Sequence, residues 1–265
     1  MGEQTEYHFH NSYHLGDNVF NLIFFNTIRR YYETKNIIIH YYCKKCYISQ
    51  LVEFIDSNHL ILKPLHLKPR NSIELWVNNR FFPYNHDLLP KPLDFNNFYV
   101  NFFNVVVQKL NFRLKLNKLE YRCNRLLDMY DNHLSDKYKN IDILFLNSKP
   151  LSGQFDYNQT QWDNYIKRAN KLFNVCTTTK VDGVKSTADD KLTIKFIATI
   201  STHVPVIIAI NSGVLPGLLN KYTLSNVKRF YTFDNRSYYS YPNFVSKSSI
   251  EDIKLSELKP FIKKK

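Results

Sequence analysis

Two stretches of this chain combine residue types that do chemistry with spacings that could present them. The run from Val204 to Asn220 reads VPVIIAINSGVLPGLLN. Val206 to Ile210 is too short for a membrane span and too continuous for a half-exposed strand, so it suits a parallel strand covered on both faces. Asn211, Ser212 and Gly213 follow at once. Small residues there allow a sharp turn, and a helix starting at that point would aim free N–H groups and its positive dipole end at whatever sits above the strand, which is how α/β proteins hold phosphate. Pro216 is compatible with the first turn of that helix, where no N–H is needed. The same pattern also describes an ordinary βα turn that contains a Gly.

The second stretch lies near the N-terminus, where Tyr7 to Phe25 reads YHFHNSYHLGDNVFNLIFF. A short polar-aromatic strand runs into a loop, Gly16-Asp17 closes it, and an apolar helical pattern begins. Together the two motifs resemble the GT-B glycosyltransferases, particularly the heptosyltransferase-like group. Those chains open with a strand, a Ser-x-x-Gly-Asp-type loop and a helix, and later carry a strand ending in a Ser/Thr-Gly turn that receives the donor's diphosphate.

The resemblance implies an α/β fold of two Rossmann-like lobes with mainly parallel sheets and a cleft between them, and an enzyme that moves a sugar from a nucleotide-sugar donor to a glycan or lipid-linked acceptor. Such a transfer needs a base for the acceptor hydroxyl and positive groups for the departing diphosphate. By the resemblance Asp17 is the catalytic base, with Gly16 and His14 beside the acceptor. Asn211, Ser212 and Gly213 receive the diphosphate. Lys149, Ser152 and Gly153 in the first βα turn of the second lobe, and Lys180 at the end of another strand, join the donor side. Helix capping accounts for Asp17 equally well. Where heptosyltransferases often carry an Asp before the Thr-Gly pair and a His shortly after, this chain has Asn211 and then Leu215-Pro216. A heptose donor is therefore not assumed, and the turn is also similar to that of fucosyltransferase-like GT-B enzymes.

The chain has no Asp-x-Asp signature, so transfer is expected to be metal-independent, with no cofactor besides the nucleotide-sugar substrate. His8, His10 and His14 cluster in sequence, and the alternation of His8 and His10 on one strand face reads as a packed, hydrogen-bonded pair before it reads as a metal site. Cys43 and Cys46 lack the second Cys or His pair of a structural zinc site, and free thiols are expected.

A formal charge of +13 among 265 residues attracts anions: sugar nucleotides, acidic glycans, phospholipid head groups or nucleic acid. Part of that excess goes with the Lys- and Asn-rich usage of an AT-rich genome. A basic nucleic-acid-binding protein and a catalytically silent Rossmann-like scaffold are the alternatives, although no specific nucleic-acid motif is found. No secretory signal and no apolar window of about 18 residues is present, so the protein is expected in the cytoplasm, with peripheral membrane contact left open.

Periodicity places these groups on alternating strands and helices. The expected order is a helix from Asn18 to about Tyr32 capped by Asp17 or Asn18, a strand over Ile37–Tyr42, a short helix over Cys46–Ile55, and strands over Leu60–Leu62 and Ser72–Val77. Helices over Asp94–Leu110 and Tyr121–Asp136 follow, with an alternating extended segment between them. The aromatic and basic mixture Trp76, Arg80, Phe81, Phe82, Tyr84 and His86 suits sugar stacking as well as core packing. A polar boundary divides residues 1–138, the acceptor-side lobe, from 139–265, the donor-side lobe with its basic tail. The pattern then restarts with strands at Ile141–Asn147, Val175–Thr179, Val206–Ile210 and Val227–Phe233 and helices over Tyr157–Phe173 and Leu192–Thr202. Residues after Tyr238 read as loose or as a terminal helix.

Overall fold

The computed structural model describes residues 4–77, 79–85, 89, 93–121, 134–151, 153, 155–235 and 237–262. They divide into two compact units, one of residues 1–90 with 95–127 and one of residues 91–94 with 128–265. Apart from its ends, the helix expected over Tyr121–Asp136 lies outside the described residues, as do Ser152, His86 and the terminal Lys263–Lys265.

The first unit is a parallel sheet with the order β3-β2-β1-β4. Its strands are β1 (Thr5–Asn11), β2 (Ile37–Cys43), β3 (Leu60–Pro64) and β4 (Ile73–Glu74), and its helices are α1 (Leu15–Thr27), α2 (Arg29–Thr34), α3 (Lys45–Leu51) and α4 (Phe95–Lys109). Phe9, Ile39 and Tyr41 point to one face, where Phe9 and Tyr41 each lie against Phe25 of α1. Phe24 of α1 in turn stacks on Phe103 of α4 with centroids 4.4 Å apart. The other face carries Glu6, His8, His10, His40 and Tyr42, which the register aligns as His8↔His40 and His10↔Tyr42. A strand buried on both sides by helices cannot tolerate that many polar groups. Here several of them pair with one another: His8 and His40 stack at 4.8 Å, His8 Nδ1 lies 3.1 Å from the Tyr42 hydroxyl, and His40 Nε2 lies 3.2 Å from Glu6, while His40 Nδ1 is buried with no partner among the described residues. The histidines are packed and hydrogen-bonded, but the pair is His8 with His40 on the neighbouring strand and not His8 with His10, which meets Ser72 instead.

Three local expectations are corrected. The first helix begins at Leu15, not Asn18, with His14 at the N-cap position, so Asp17 caps it from the third position, its side chain accepting from the His14 N–H. It ends at Thr27, and Ile28 separates it from α2. The strand expected over Ser72–Val77 forms only at Ile73–Glu74, and the alternating segment after α4 is irregular chain that buries Phe112 and Leu116.

The second unit holds a five-stranded parallel sheet of order β11-β9-β8-β6-β7 and a small pairing of β5 (Leu93–Asp94) with β10 (Ser237–Tyr238). The sheet strands are β6 (Ile143–Leu146), β7 (Val175–Thr177), β8 (Val206–Ile210), β9 (Arg229–Phe233) and β11 (Phe244–Lys247). Helices α5 (Gln159–Asn170), α6 (Ile194–Ser201), α7 (Leu215–Leu218), α8 (Lys221–Asn226) and α9 (Leu255–Leu258) complete it. Alternation divides each strand between two layers. Ile143, Phe145, Val206, Ile208, Ile210, Tyr231 and Phe233 pack with Trp162, Tyr165 and Ile166 of α5 and with Ile250, Ile253 and Leu258. Leu144, Ile207, Ala209 and Phe230 point to the opposite face and are fully buried there as well. All five residues of β8 are buried, which is why its sequence shows no polar alternation. The chain after Tyr238 is not loose: β11 adds a fifth strand beside β9.

Trp162 is 1% exposed and its ring meets Phe155, Tyr157 and Phe233. Trp162→Ala is expected to cost about 3–5 kcal/mol, because the surrounding rings close only part of the cavity. Denaturant unfolding followed by circular dichroism measures it, and a midpoint equal to wild type would contradict the packing described. Among the described residues no helix is long and apolar enough to cross a membrane.

Candidate functional site

In a parallel sheet the strand order reverses where the chain, having built outward on one side of its first strand, returns to the other. Connecting loops part at that point and leave room for a ligand above the carboxyl ends of the strands. Each unit has one such point. In the first, the chain runs β1, β2, β3 and then places β4 on the far side of β1. In the second, β7 lies on one side of β6 and β8 on the other. The two sequence motifs are the turns at these positions.

The turn after β1 is tied to the end of β4. Asn11 Nδ2 donates to the Leu75 carbonyl at 2.8 Å, and Asn21 Nδ2 reaches the same oxygen at 3.0 Å. Tyr13 stacks on Trp76 with centroids 4.0 Å apart. Asn79 pins the chain beyond Trp76, its Oδ1 accepting from the N–H groups of Phe81 and Phe82 at 2.7 and 2.8 Å. Within the first helical turn Gly16 is half-buried and His14 exposed. The Asp17 carboxylate is half-buried and makes two contacts: Oδ1 accepts from the Tyr99 hydroxyl at 2.8 Å, and Oδ2 from the His14 backbone N–H at 3.3 Å. Loss of solvent around it raises its pKa above the ordinary carboxylate value, and the Tyr99 hydrogen bond and His14 pull against that rise. Asp17, Gly16 and His14 thus come together, with a carboxylate whose basicity exceeds that of a surface aspartate.

His10, on the polar sheet face, is held near a pKa of about 4 by burial and by Lys68, which keeps it neutral at pH 7. Its Nδ1 meets the Ser72 hydroxyl. Among the described residues no group of three or more His, Cys, Asp or Glu side chains is placed to hold a metal ion.

In the second unit Asn211, Ser212 and Gly213 leave the end of β8. The Asn211 amide is committed: its Nδ2 donates to Asp234 at 2.7 Å, and its Oδ1 accepts from the Tyr239 hydroxyl at 3.4 Å. Asn211 also gives its backbone N–H to the Phe233 carbonyl. It therefore braces the turn. The Ser212 hydroxyl is buried and has no hydrogen-bond partner among the described residues. The backbone N–H groups of Ser212, Gly213 and Val214 likewise carry no backbone bond there. Gly213 does not have a positive φ; that conformation belongs to Gly153, at 63°, in the turn after β6. The helix expected from Ser212 begins instead at Leu215 and runs four residues, so a helix dipole adds little. The donors of this turn are its own N–H groups and one hydroxyl.

Across the reversal lies the turn after β6, with Lys149 exposed and carrying no ion pair among the described residues. The β6–β7 side is closed. Asn147 Oδ1 accepts from the N–H groups of Thr178 and Thr179 at 3.2 and 2.9 Å, and Tyr157 donates to the Asn147 carbonyl at 3.1 Å. Lys180 lies past the end of β7, away from β8, and pairs with Asp189 at 3.0 Å. The turn that holds Lys149 and Gly153 and the turn that holds Asn211, Ser212 and Gly213 thus follow neighbouring parallel strands, β6 and β8, while Lys180 follows β7 on the other side of β6.

Three participants were missed in the sequence. Tyr99 lies 82 residues from Asp17 on a helix read only for its apolar face. Asp234 and Tyr239 follow β9, where a residue after a strand carries no signature of its own.

No protein-family model matches the chain, and no curated protein matches it in sequence. Solved structures do match in shape. The E. coli heptosyltransferase WaaC with ADP-2-deoxy-2-fluoro heptose superposes with a TM-score of 0.59 at 9% identity, covering 97% of this chain and 99% of WaaC. The glycosyl transferase family 9 protein of Veillonella parvula matches with a TM-score of 0.51 at 10% identity, over 98% and 92% of the two chains. The iron-containing dodecameric glycosyltransferase TibC of enterotoxigenic E. coli gives 0.52 at 13% identity, over 92% of this chain and 64% of TibC. At such identities the likeness establishes the fold, and this chain has the GT-B fold.

Proposed function

We propose that this chain is a glycosyltransferase that moves a sugar from a nucleotide-sugar donor to a hydroxyl of a glycan or lipid-linked acceptor, with inversion and without a metal ion. The observation that carries the reading is that the turn at each sheet's strand-order reversal holds one of the two kinds of group glycosyl transfer asks for. In the first unit that group is a carboxylate with raised basicity, and in the second it is a set of N–H groups with no backbone bond among the described residues, beside a buried hydroxyl.

The chemistry divides accordingly. Ionised Asp17 takes the acceptor's O–H proton as the acceptor oxygen bonds to the anomeric carbon. The bond from that carbon to the donor diphosphate breaks, and its electron pair leaves on the diphosphate. The N–H groups and hydroxyl of the Ser212 turn, with Lys149, meet the charge that develops. Gly153 lines the donor side, while Gly16 and His14 line the acceptor side. Acceptor work falls to the first unit and donor work to the second. WaaC has been solved with ADP, and a nucleoside diphosphate is the ligand class the second unit's donor set suits.

A thermal-shift panel of nucleoside diphosphates on the full chain tests the reading. A nucleotide present at about 100 times its Kd stabilises the folded state by about 2.7 kcal/mol, enough to move the melting temperature visibly. One base is expected to outperform the others. A flat response to every nucleoside diphosphate at millimolar concentration counts against a donor site.

A further inference from the structure

We propose that Tyr99 is a positioning residue for the Asp17 carboxylate, holding it ionised and fixed in plane through the hydrogen bond from its hydroxyl to Oδ1. The inference rests on the glycosyl-transfer reading, in which Asp17 must stay ionised to act as a base.

Removing water from around a carboxylate favours its neutral form, and a protonated Asp17 takes no proton from an acceptor. A hydrogen bond donated to the ionised form works the other way. Tyr99 is suited to give one: a phenol remains a donor across the whole range in which a carboxylate titrates. Its ring has little freedom to turn away. It is 8% exposed, stacks on Phe20 at 3.9 Å, and lies against Phe103 at 5.9 Å and Phe98 at 5.0 Å. With Oδ1 held by Tyr99 and Oδ2 by the His14 N–H, both oxygens are fixed by groups from different elements.

The other titratable groups facing Asp17 are the His14 imidazole, Tyr41 of β2 and Tyr47 of α3. Burial raises both tyrosines, so each is neutral while a carboxylate titrates. The Tyr41 hydroxyl is in addition spent on Asn18 at 2.7 Å. His14 is the remaining charge to control.

The test is a carbon-13 NMR titration of aspartate side-chain carboxyls in the full chain, with Asp17→Asn to assign the resonance. Tyr99→Phe keeps the stacked ring and removes only the hydroxyl. It is expected to move the Asp17 midpoint upward by about one pH unit, the size of one hydrogen bond to a charged group. The difference should persist in a His14→Gln background. Phe20→Leu, which loosens the stack but keeps the hydroxyl, should lower the melting temperature and shift the midpoint less than Tyr99→Phe does. A midpoint that Tyr99→Phe leaves unmoved overturns the proposal. Because the titration needs no substrate, its failure is separate from that of the transfer reading, which would fail if Asp17→Asn still turned over.

Discussion

Asp17→Asn is expected to lower sugar transfer by about 10²- to 10⁴-fold, the usual contribution of a positioned base, and to leave nucleotide affinity at the wild-type value. The substitution preserves shape and removes basicity. An amide oxygen still accepts from the Tyr99 hydroxyl, but the amide NH₂ cannot accept from the His14 N–H, so half of the present hydrogen bonding at the helix start is lost. That change costs about 1 kcal/mol, as for other helix-start contacts, and leaves the fold in place. Initial rates and nucleotide binding measured on one preparation decide the matter. Turnover near the wild-type rate would remove Asp17 from the mechanism.

The same carboxylate sets the acid side of the pH profile. Below its folded pKa Asp17 is protonated and inert, so kcat/KM should rise about tenfold per pH unit until that pKa is passed. Because burial raises the value, the bend should lie above the ordinary carboxylate range. The linkage to stability has the opposite sign to that of a salt-bridged aspartate. Between the unfolded and the raised folded pKa the native state holds the extra proton, so stability falls as pH rises through that window.

How much of this was legible before the structure depended on which forces fix each feature. The strand Val206–Ile210 was readable because burial on both faces leaves one solution for five apolar residues in a row. The first helix was readable as a helix, yet its start was misplaced. Leu15 and Gly16 give no periodic signal, and His14 is an uncommon N-cap, so the boundary is set by the Asp17 to His14 contact and not by residue type. β11 was illegible for a different reason: Phe244–Lys247 is short and half exposed, and what makes it a strand is the free edge of β9. The candidate site divides the same way. Asp17 and Ser212 stand in turns with recognisable spacing. Tyr99, Asp234 and Tyr239 enter only because the chain folds back, and no local pattern distinguishes Tyr99 from the phenylalanines around it. Gly153 takes a positive φ of 63°, which its sequence setting did not announce.

Ser212→Asp carries the other large effect: nucleoside diphosphate affinity is expected to fall by at least about 100-fold. Among the described residues the Ser212 hydroxyl is buried without a partner, a condition native proteins rarely leave unexplained. A ligand oxygen is the explanation offered here, and a carboxylate at this position would compete for it. At about 5 Å and an effective dielectric of about 20, one negative charge facing another costs roughly 3 kcal/mol, which is the factor given. The new carboxylate can also accept from the N–H groups of Gly213 and Val214, which carry no backbone bond among the described residues, filling the place meant for phosphate. That second effect makes the prediction specific. The nucleotide-free variant should melt no lower than about 1 kcal/mol below wild type, while its thermal response to nucleotide disappears. Ser212→Ala, which deletes one hydrogen bond and adds no charge, should weaken binding by about 10-fold. Unchanged nucleotide affinity in Ser212→Asp would place the diphosphate elsewhere, and an unfolded variant would mean that the turn after β8 is packed and not open.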